Sequence, residues 1–408
     1  MNEELIEKYA ELIVRVGANV QKGQYVIIRT GVFEEDFAAL VSRKCYEAGA
    51  KRVFVRWQSS KVDQVDYIYG HEDDLKHVLP FEEYEQKFTQ DEYPILIWLD
   101  GDDPDGLKGV DANKVARIRQ ARYLVLGKYR EASENHHTWV IAGVPSVPWA
   151  KKVFPDLPAD QAMEKLWKAI LKTSRADDGN GIENWKKHDE DLKMRCQYLD
   201  SLNLKKLHYR SKNGTDLTVG LIPGVHFAGG NEKTLEGQVY SPNIPSEECF
   251  TSPRKGEAEG IVYATKPLSY QGQLIENFYV RFHEGKAVEA HAETGEEALL
   301  SILSLDQGSS YLGECAFVPY HSPINDTGLL FYNTLFDENA SCHLALGTGF
   351  PELYPDYANH TDEEIRNAGI NKSQSHVDFM IGSEDMEIIG TTRDGKEVPI
   401  FKNGDWAF

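Results

Sequence analysis

No C-x-x-C pair occurs among the five cysteines, Cys45, Cys196, Cys249, Cys315 and Cys342, and their number is odd. A disulfide framework is not expected; reduced thiols in a cytoplasmic protein are. Cations are scarce: 44 Lys and Arg stand against 65 Asp and Glu, a formal net charge of -21. Nucleic acid and anionic membranes both call for clustered cations, so neither is an expected partner. Apolar runs such as Ile95–Leu99 fall far short of the ~20 residues of a bilayer span. The start, Met1-Asn2-Glu3-Glu4, has no apolar stretch behind it, unlike a secretory leader. Walker A, G-x-G-x-x-G after a strand, H-E-x-x-H and G-x-S-x-G patterns are all missing. Nucleotide binding, zincin chemistry and α/β-hydrolase chemistry therefore drop out as first choices.

What remains is an ordinary globular balance, 41% apolar and 27% charged, over 408 residues. That length favours two domains. In the first third, Leu5, Tyr9, Leu12, Ile13 and Val16 mark a helix face. Tyr25–Arg29 reads as a strand, Phe37, Leu40, Val41 and Cys45 as a second helix ending at Gly49, and Val53–Trp57 as a strand. Further strand-like runs are Ile95–Leu99 and Tyr123–Leu126, and helices are expected over Asp160–Ser174 and Asn184–Ser201. Past residue 203 strands dominate, with turn signals at Asn213-Gly214 and Asp394-Gly395. The expected class is α/β. A helix-covered, mostly parallel sheet domain over 1–195 precedes a strand-rich α+β metal-binding domain over 196–408.

Four short segments carry candidate chemistry. In Ser375–Ile381, strand alternation puts His376 and Asp378 on one face, a pair suited to a divalent metal. His343 sits in a small, apolar, strand-like run where its ring nitrogens need partners. Glu314 and Glu248 lie among apolar and small residues, where a carboxylate is costly unless paired or bound to a cation. Each taken singly also fits a structural residue. Together they form the stock from which a pair of ions ~3.5–4 Å apart is built. Cys249, Cys315 and Cys342 adjoin these residues on the opposite strand face and read as packing.

At these residues the chain resembles the M29 family of metallo-aminopeptidases. The matching stretches include Gly214–Leu217, Asn243–Pro253, Lys266–Leu268, Leu274–Phe278, Gly313–Tyr320, Phe331–His343 and His376–Gly382. The resemblance implies metal ligation by Glu248, Glu314, His343, His376 and Asp378, with Glu314 bridging. It makes Glu338 a further ligand or a partner of one. It also implies a homodimer. The family pattern H-x-A-x-G-x-A-Y ends in a tyrosine thought to assist catalysis. Here His343–Phe350 ends in phenylalanine, which has no hydroxyl for a developing oxyanion. Tyr354 and Tyr357 are the nearby phenols.

The expected function is hydrolysis of the N-terminal residue from peptides with a free N-terminus. Two divalent ions per chain (zinc, cobalt, manganese or magnesium) would activate a water, with Glu314 and Glu248 as the catalytic carboxylates. Glu247 and Glu338 are candidates for pairing with the substrate amine or for proton transfer. The alternatives are a mononuclear iron ring-cleaving dioxygenase and a non-catalytic peptide-binding relative.

Overall fold

The computed structural model describes residues 2–270 and 272–408. The chain divides into two compact units, Met1–His188 with Asn231–Pro245, and Asp189–Gly230 with Ser246–Phe408. The return of Asn231–Pro245 to the first unit is something a single cut at 195 does not provide for.

The first unit is built on a parallel sheet. Its strands are β1 (Tyr25–Gly31), β2 (Arg52–Gln58), β3 (Ile95–Asp100) and β4 (Trp139–Gly143), in the order β2-β1-β3-β4, extended by Asn243–Ile244. Strands of a parallel sheet covered on both faces read as unbroken apolar runs, and Ile95, Leu96 and Ile97 are buried accordingly. Helix α1 (Glu3–Leu12) begins where the Asn2 side chain accepts the Glu4 N–H at 3.1 Å. Helix α2 (Glu35–Glu47) buries Phe37, Ala38, Val41 and Cys45, a stripe at helical spacing. Gly49 follows it at φ +99°, the left-handed geometry expected beyond a helix end.

One expectation fails here. Tyr123–Leu126 is not a strand but the middle of α3 (Ala112–Ser133). Asp111 caps that helix by accepting the N–H groups of Asn113 and Lys114. A four-residue apolar run does not distinguish strand from helix, and the capped helix running through it decides the outcome. Leu124 is 76% exposed, so the run is not a core element. Helix α4 (Ala159–Thr173) matches its expected span to within a residue at each end.

In the second unit, the part of α5 (Gly181–Ser201) from Asp189 onward contributes Leu192, Cys196 and Leu199 to the core. A nine-stranded sheet follows. In spatial order it runs Leu268–Tyr270, β9 (Gln273–His283), β8 (Pro253–Tyr263), β6 (Asp216–Leu221), β5 (Leu204–Arg210), β14 (Glu387–Thr392), β15 (Glu397–Lys402) and Asp405–Trp406; β10 (Lys286–Thr294) also pairs with β9. A separate four-stranded antiparallel sheet has the order β7 (Cys249–Thr251), β11 (Leu312–Phe317), β12 (His343–Gly347) and β13 (His376–Met380). One face of this small sheet packs into the core through Cys249, Cys315, Phe317, Leu344, Leu346, Val377 and Phe379. Among the described residues no helix is long and apolar enough to cross a membrane.

Candidate metal centre

The opposite face of the small sheet gathers the candidate ligands. Glu314 on β11 is in register with Ala345 on β12, and Ala345 with Asp378 on β13. His343 opens β12 beside Ala316, and His376 opens β13 beside Gly347. Period-two alternation then brings Glu314, His343, His376 and Asp378 to one side. Glu248 immediately precedes β7. A register shift interrupts β11 between Leu312 and Glu314, the local re-aiming that a bulge produces. Gly313 lies there against the chain: a Cβ on it would meet the Thr348 carbonyl oxygen at 2.1 Å.

Two clusters result, and they share a residue. Donor atoms of Glu248, Glu314 and His343 lie within 4.8 Å of one another, as do those of Glu314, His376 and Asp378. His343 Nε2 is 3.1 Å from Glu248 Oε2 and 4.0 Å from Glu314 Oε1. His376 Nε2 is 2.9 Å from Glu314 Oε2 and 3.2 Å from Asp378 Oδ1. Glu314 thus turns one oxygen to each histidine. His376 Nδ1 faces the Thr348 carbonyl at 2.9 Å, and His343 Nδ1 faces the Ser341 carbonyl at 3.2 Å. Carbonyl acceptors at Nδ1 place the proton there and leave the Nε2 lone pairs for a cation.

The electrostatics are those of a site short of positive charge. Glu248, Glu314, His343 and Asp378 are all less than 10% exposed. Burial, reinforced by Asp378 and Glu248, pushes Glu314 up to about 7 against the opposing hydrogen bond from His376. Glu338, half-buried at the end of α6 (Thr334–Glu338), is raised by burial and by Asp378 and Glu248. Burial works against charge on His343, yet Glu248 and the other carboxylates outweigh it and hold the imidazole at about 10. His376 is raised in the same way by Asp378 and Glu314. Asp378 is lowered: burial opposes, and the His376 charge prevails. Asp378 Oδ1 is buried, and its contact with His376 Nε2 at 3.2 Å is an ion pair without hydrogen-bond geometry. Unsatisfied buried acids beside imidazoles are costly unless a cation compensates them. An oxygen and nitrogen donor set with no sulfur fits divalent zinc, cobalt, manganese or magnesium.

Five of the six expected ligands fall in the two clusters; the Glu338 carboxyl is in neither. Cys315 and Cys342 are buried, and desolvation pushes their thiols up to about 12, consistent with packing. Phe350 lies beside the site, its ring 5.2 Å from the His376 imidazole. Tyr354 packs edge-on against His360 instead. Asn339 carried no sequence signal of its own. It is fully buried, accepts the Glu247 N–H at 2.7 Å, and donates to the Leu335 carbonyl, tying the segment before Glu248 to α6.

The chain also matches known proteins. The sequence model of the family described as thermophilic metalloprotease (M29) matches residues 2–406. Aminopeptidase AmpS of Bacillus subtilis (strain 168) is 41% identical over 99% of this chain and 98% of its own. Aminopeptidase 2 of Geobacillus stearothermophilus is 37% identical over 100% and 98%. The structure of wild-type AmpT from Thermus thermophilus superposes with a TM-score of 0.91 at 35% identity, covering both chains fully. A 2,5-dihydroxypyridine dioxygenase from Pseudomonas putida KT2440 shares the fold alone, with a TM-score of 0.53 at 13% identity over 100% of this chain and 98% of that one. The chain belongs to the M29 metalloprotease family.

Proposed function

We propose that this chain is a metal-dependent aminopeptidase that removes the N-terminal residue of peptides at a site for two divalent ions. The observation that carries the reading is the pair of three-residue clusters joined through Glu314. Glu248, Glu314 and His343 would hold one ion, and Glu314, His376 and Asp378 the other. Ions bound there supply Lewis acidity toward the scissile carbonyl and lower the pKa of water toward neutrality. The residues do the rest. The carbonyls of Thr348 and Ser341 fix the two imidazoles so that Nε2 faces the site. Glu314 spans the clusters and holds their spacing. Glu338, near Asp378 and Glu248 yet outside both clusters, is assigned to the substrate's α-ammonium, which would select for a free N-terminus. The two sequence relatives named above, aminopeptidase AmpS and aminopeptidase 2, support the substrate class. The homodimer and the cytoplasmic location are part of the same proposal; the first rests on the family resemblance and the second on the five unpaired cysteines.

The test is hydrolysis of aminoacyl anilides by apo protein reloaded separately with zinc, cobalt, manganese and magnesium, with metal content measured alongside. Two ions per chain and anilide cleavage are expected. Glu314→Gln and His376→Ala are expected to lose bound metal and at least a hundredfold in kcat. Folded variants with full metal content and normal rates would sink the assignment. One iron per chain with oxygen uptake would instead favour ring-cleaving chemistry.

A further inference from the structure

The face that carries the ligands also carries two phenyl rings. Phe250 lies on β7 two residues after Glu248, and Cys249 between them faces the core, so alternation turns Phe250 away from the core face. Across the sheet Phe250 is in register with Ala316, and Ala316 with His343. Phe350 comes from the segment after β12, and its N–H donates to Ser252 Oγ at 2.8 Å, which holds that segment against β7. The two rings lie 5.0 Å apart, and Phe350 lies 5.2 Å from His376. Both phenylalanines are half-buried, whereas their sheet neighbours Cys249, Thr251 and Cys315 are closed off in the core. Ala316 stands between Phe250 and His343, and Gly347 stands beside His376; both are small. The ligand face is therefore polar at its acids and imidazoles and aromatic along one border, where both rings pack at the edge of the core.

Geometry decides what that border meets. A substrate with its amine at the carboxylates and its first carbonyl at the shared cluster carries its first side chain on the carbon bonded to both. That side chain must lie against a neighbour of the ligands. We propose that Phe250 and Phe350 form this wall, and that the enzyme takes peptides beginning with an apolar or aromatic residue. The inference rests on the aminopeptidase reading above. Aromatic rings offer large contact area and favour tilted partners at 4.5–7 Å, whereas burying a charged first side chain against them is penalised.

The test uses the metal-loaded full chain and anilides of Leu, Phe, Ala, Lys and Asp, which share one leaving group. Leu and Phe are expected to exceed Lys and Asp at least tenfold in kcat/KM, the scale on which an apolar pocket discriminates. In Phe250→Ala the ratio of Phe-anilide to Ala-anilide kcat/KM falls at least tenfold, mainly through KM; Phe250→Leu keeps most of it. Calorimetric titration with L-phenylalanine shows weaker binding in Phe250→Ala by a similar factor. Should Phe250→Ala fail to fold, Phe350→Ala and Phe250→Leu give the same comparison. Hydrolysis without an apolar preference, or an unchanged ratio in the variants, overturns this wall and leaves the aminopeptidase reading standing. So does a series of dipeptides in which the variants respond to the second residue and not the first. No hydrolysis with any metal overturns both.

Discussion

At the scale of single residues, Phe350 is where the proposed site would gain or lose a donor for negative charge. Its ring touches the His376 side of the centre but offers no hydrogen-bond donor. Removing one donor from a preorganised oxyanion site costs a hundredfold or more in kcat. Phe350→Tyr is therefore expected to raise kcat about tenfold on a Leu-anilide, with the ring contact to Phe250 kept, and steady-state kinetics check it. A second residue acts on stability far from this chemistry. Glu34 is 4% exposed, its Oε1 has no hydrogen-bond partner, and burial with help from Asp102 raises it to about 7. Raised above its unfolded value, it contributes stability that is fully present below about pH 4.5 and lost as pH rises through 7. At ~1.4 kcal/mol per unit the loss is about 3 kcal/mol. Glu34→Gln is expected to flatten that decline and to be the more stable protein at pH 8, read by urea unfolding from pH 4 to pH 8. Residues such as His376 and Asp378 were legible in the sequence because alternation on a strand is a local rule. The Thr348 and Ser341 carbonyls that orient the imidazoles were not, since every residue has a carbonyl and only the fold selects these two.

At the scale of elements, the centre depends on three strands of one sheet keeping register. Strands β11 and β13 are not paired with each other; β12 lies between them. Their approaches are tied together by Asp306. Its carboxylate accepts the N–H groups of Gly308 and Ser309 on the way to β11, and the Gln374 N–H and Ser373 hydroxyl on the way to β13. Asn371 adds bonds to the Gly308 and Gly347 carbonyls. Asp306→Ala removes a charged acceptor from four donors, and the expected cost is about 2–3 kcal/mol. The distance between Glu314 and His376 should loosen with it. The expected result is metal affinity weakened at least tenfold in a protein that still folds, measured by urea unfolding and by metal titration. An effect on stability with unchanged metal affinity would separate the clamp from the centre. The strands themselves could be anticipated from composition and turns. Their order could not, because β7, β11, β12 and β13 are brought together across more than a hundred residues of chain. The reverse error at Tyr123–Leu126 has the same root: four apolar residues state a preference for burial, and Asp111 and the helix it caps determine the element.

At the scale of the whole molecule, the chain divides its labour unevenly. Every candidate ligand belongs to the second unit, and none to the first. Four carboxylates and two imidazoles gather at one sheet face there, and burial with the neighbouring acids raises Glu314 and Glu338 while the carboxylates raise His343. A cation that binds the folded site and not the unfolded chain stabilises by mass action, by about 4 kcal/mol at a thousandfold excess over its Kd. That energy enters through β7, β11, β12 and β13, so it belongs to the second unit. Chelation is expected to lower hydrogen-exchange protection in these strands by two to three orders of magnitude. Protection in β1, β3 and β4 of the first unit is expected to stay within a factor of about three. Mass-resolved exchange of the metal-loaded and chelated protein checks both halves at once. Equal loss in the two units would mean that the ions stabilise the chain as one cooperative body. No loss in either would mean that the buried acids of the centre are settled without a cation, and the case for a metal site would fall with it.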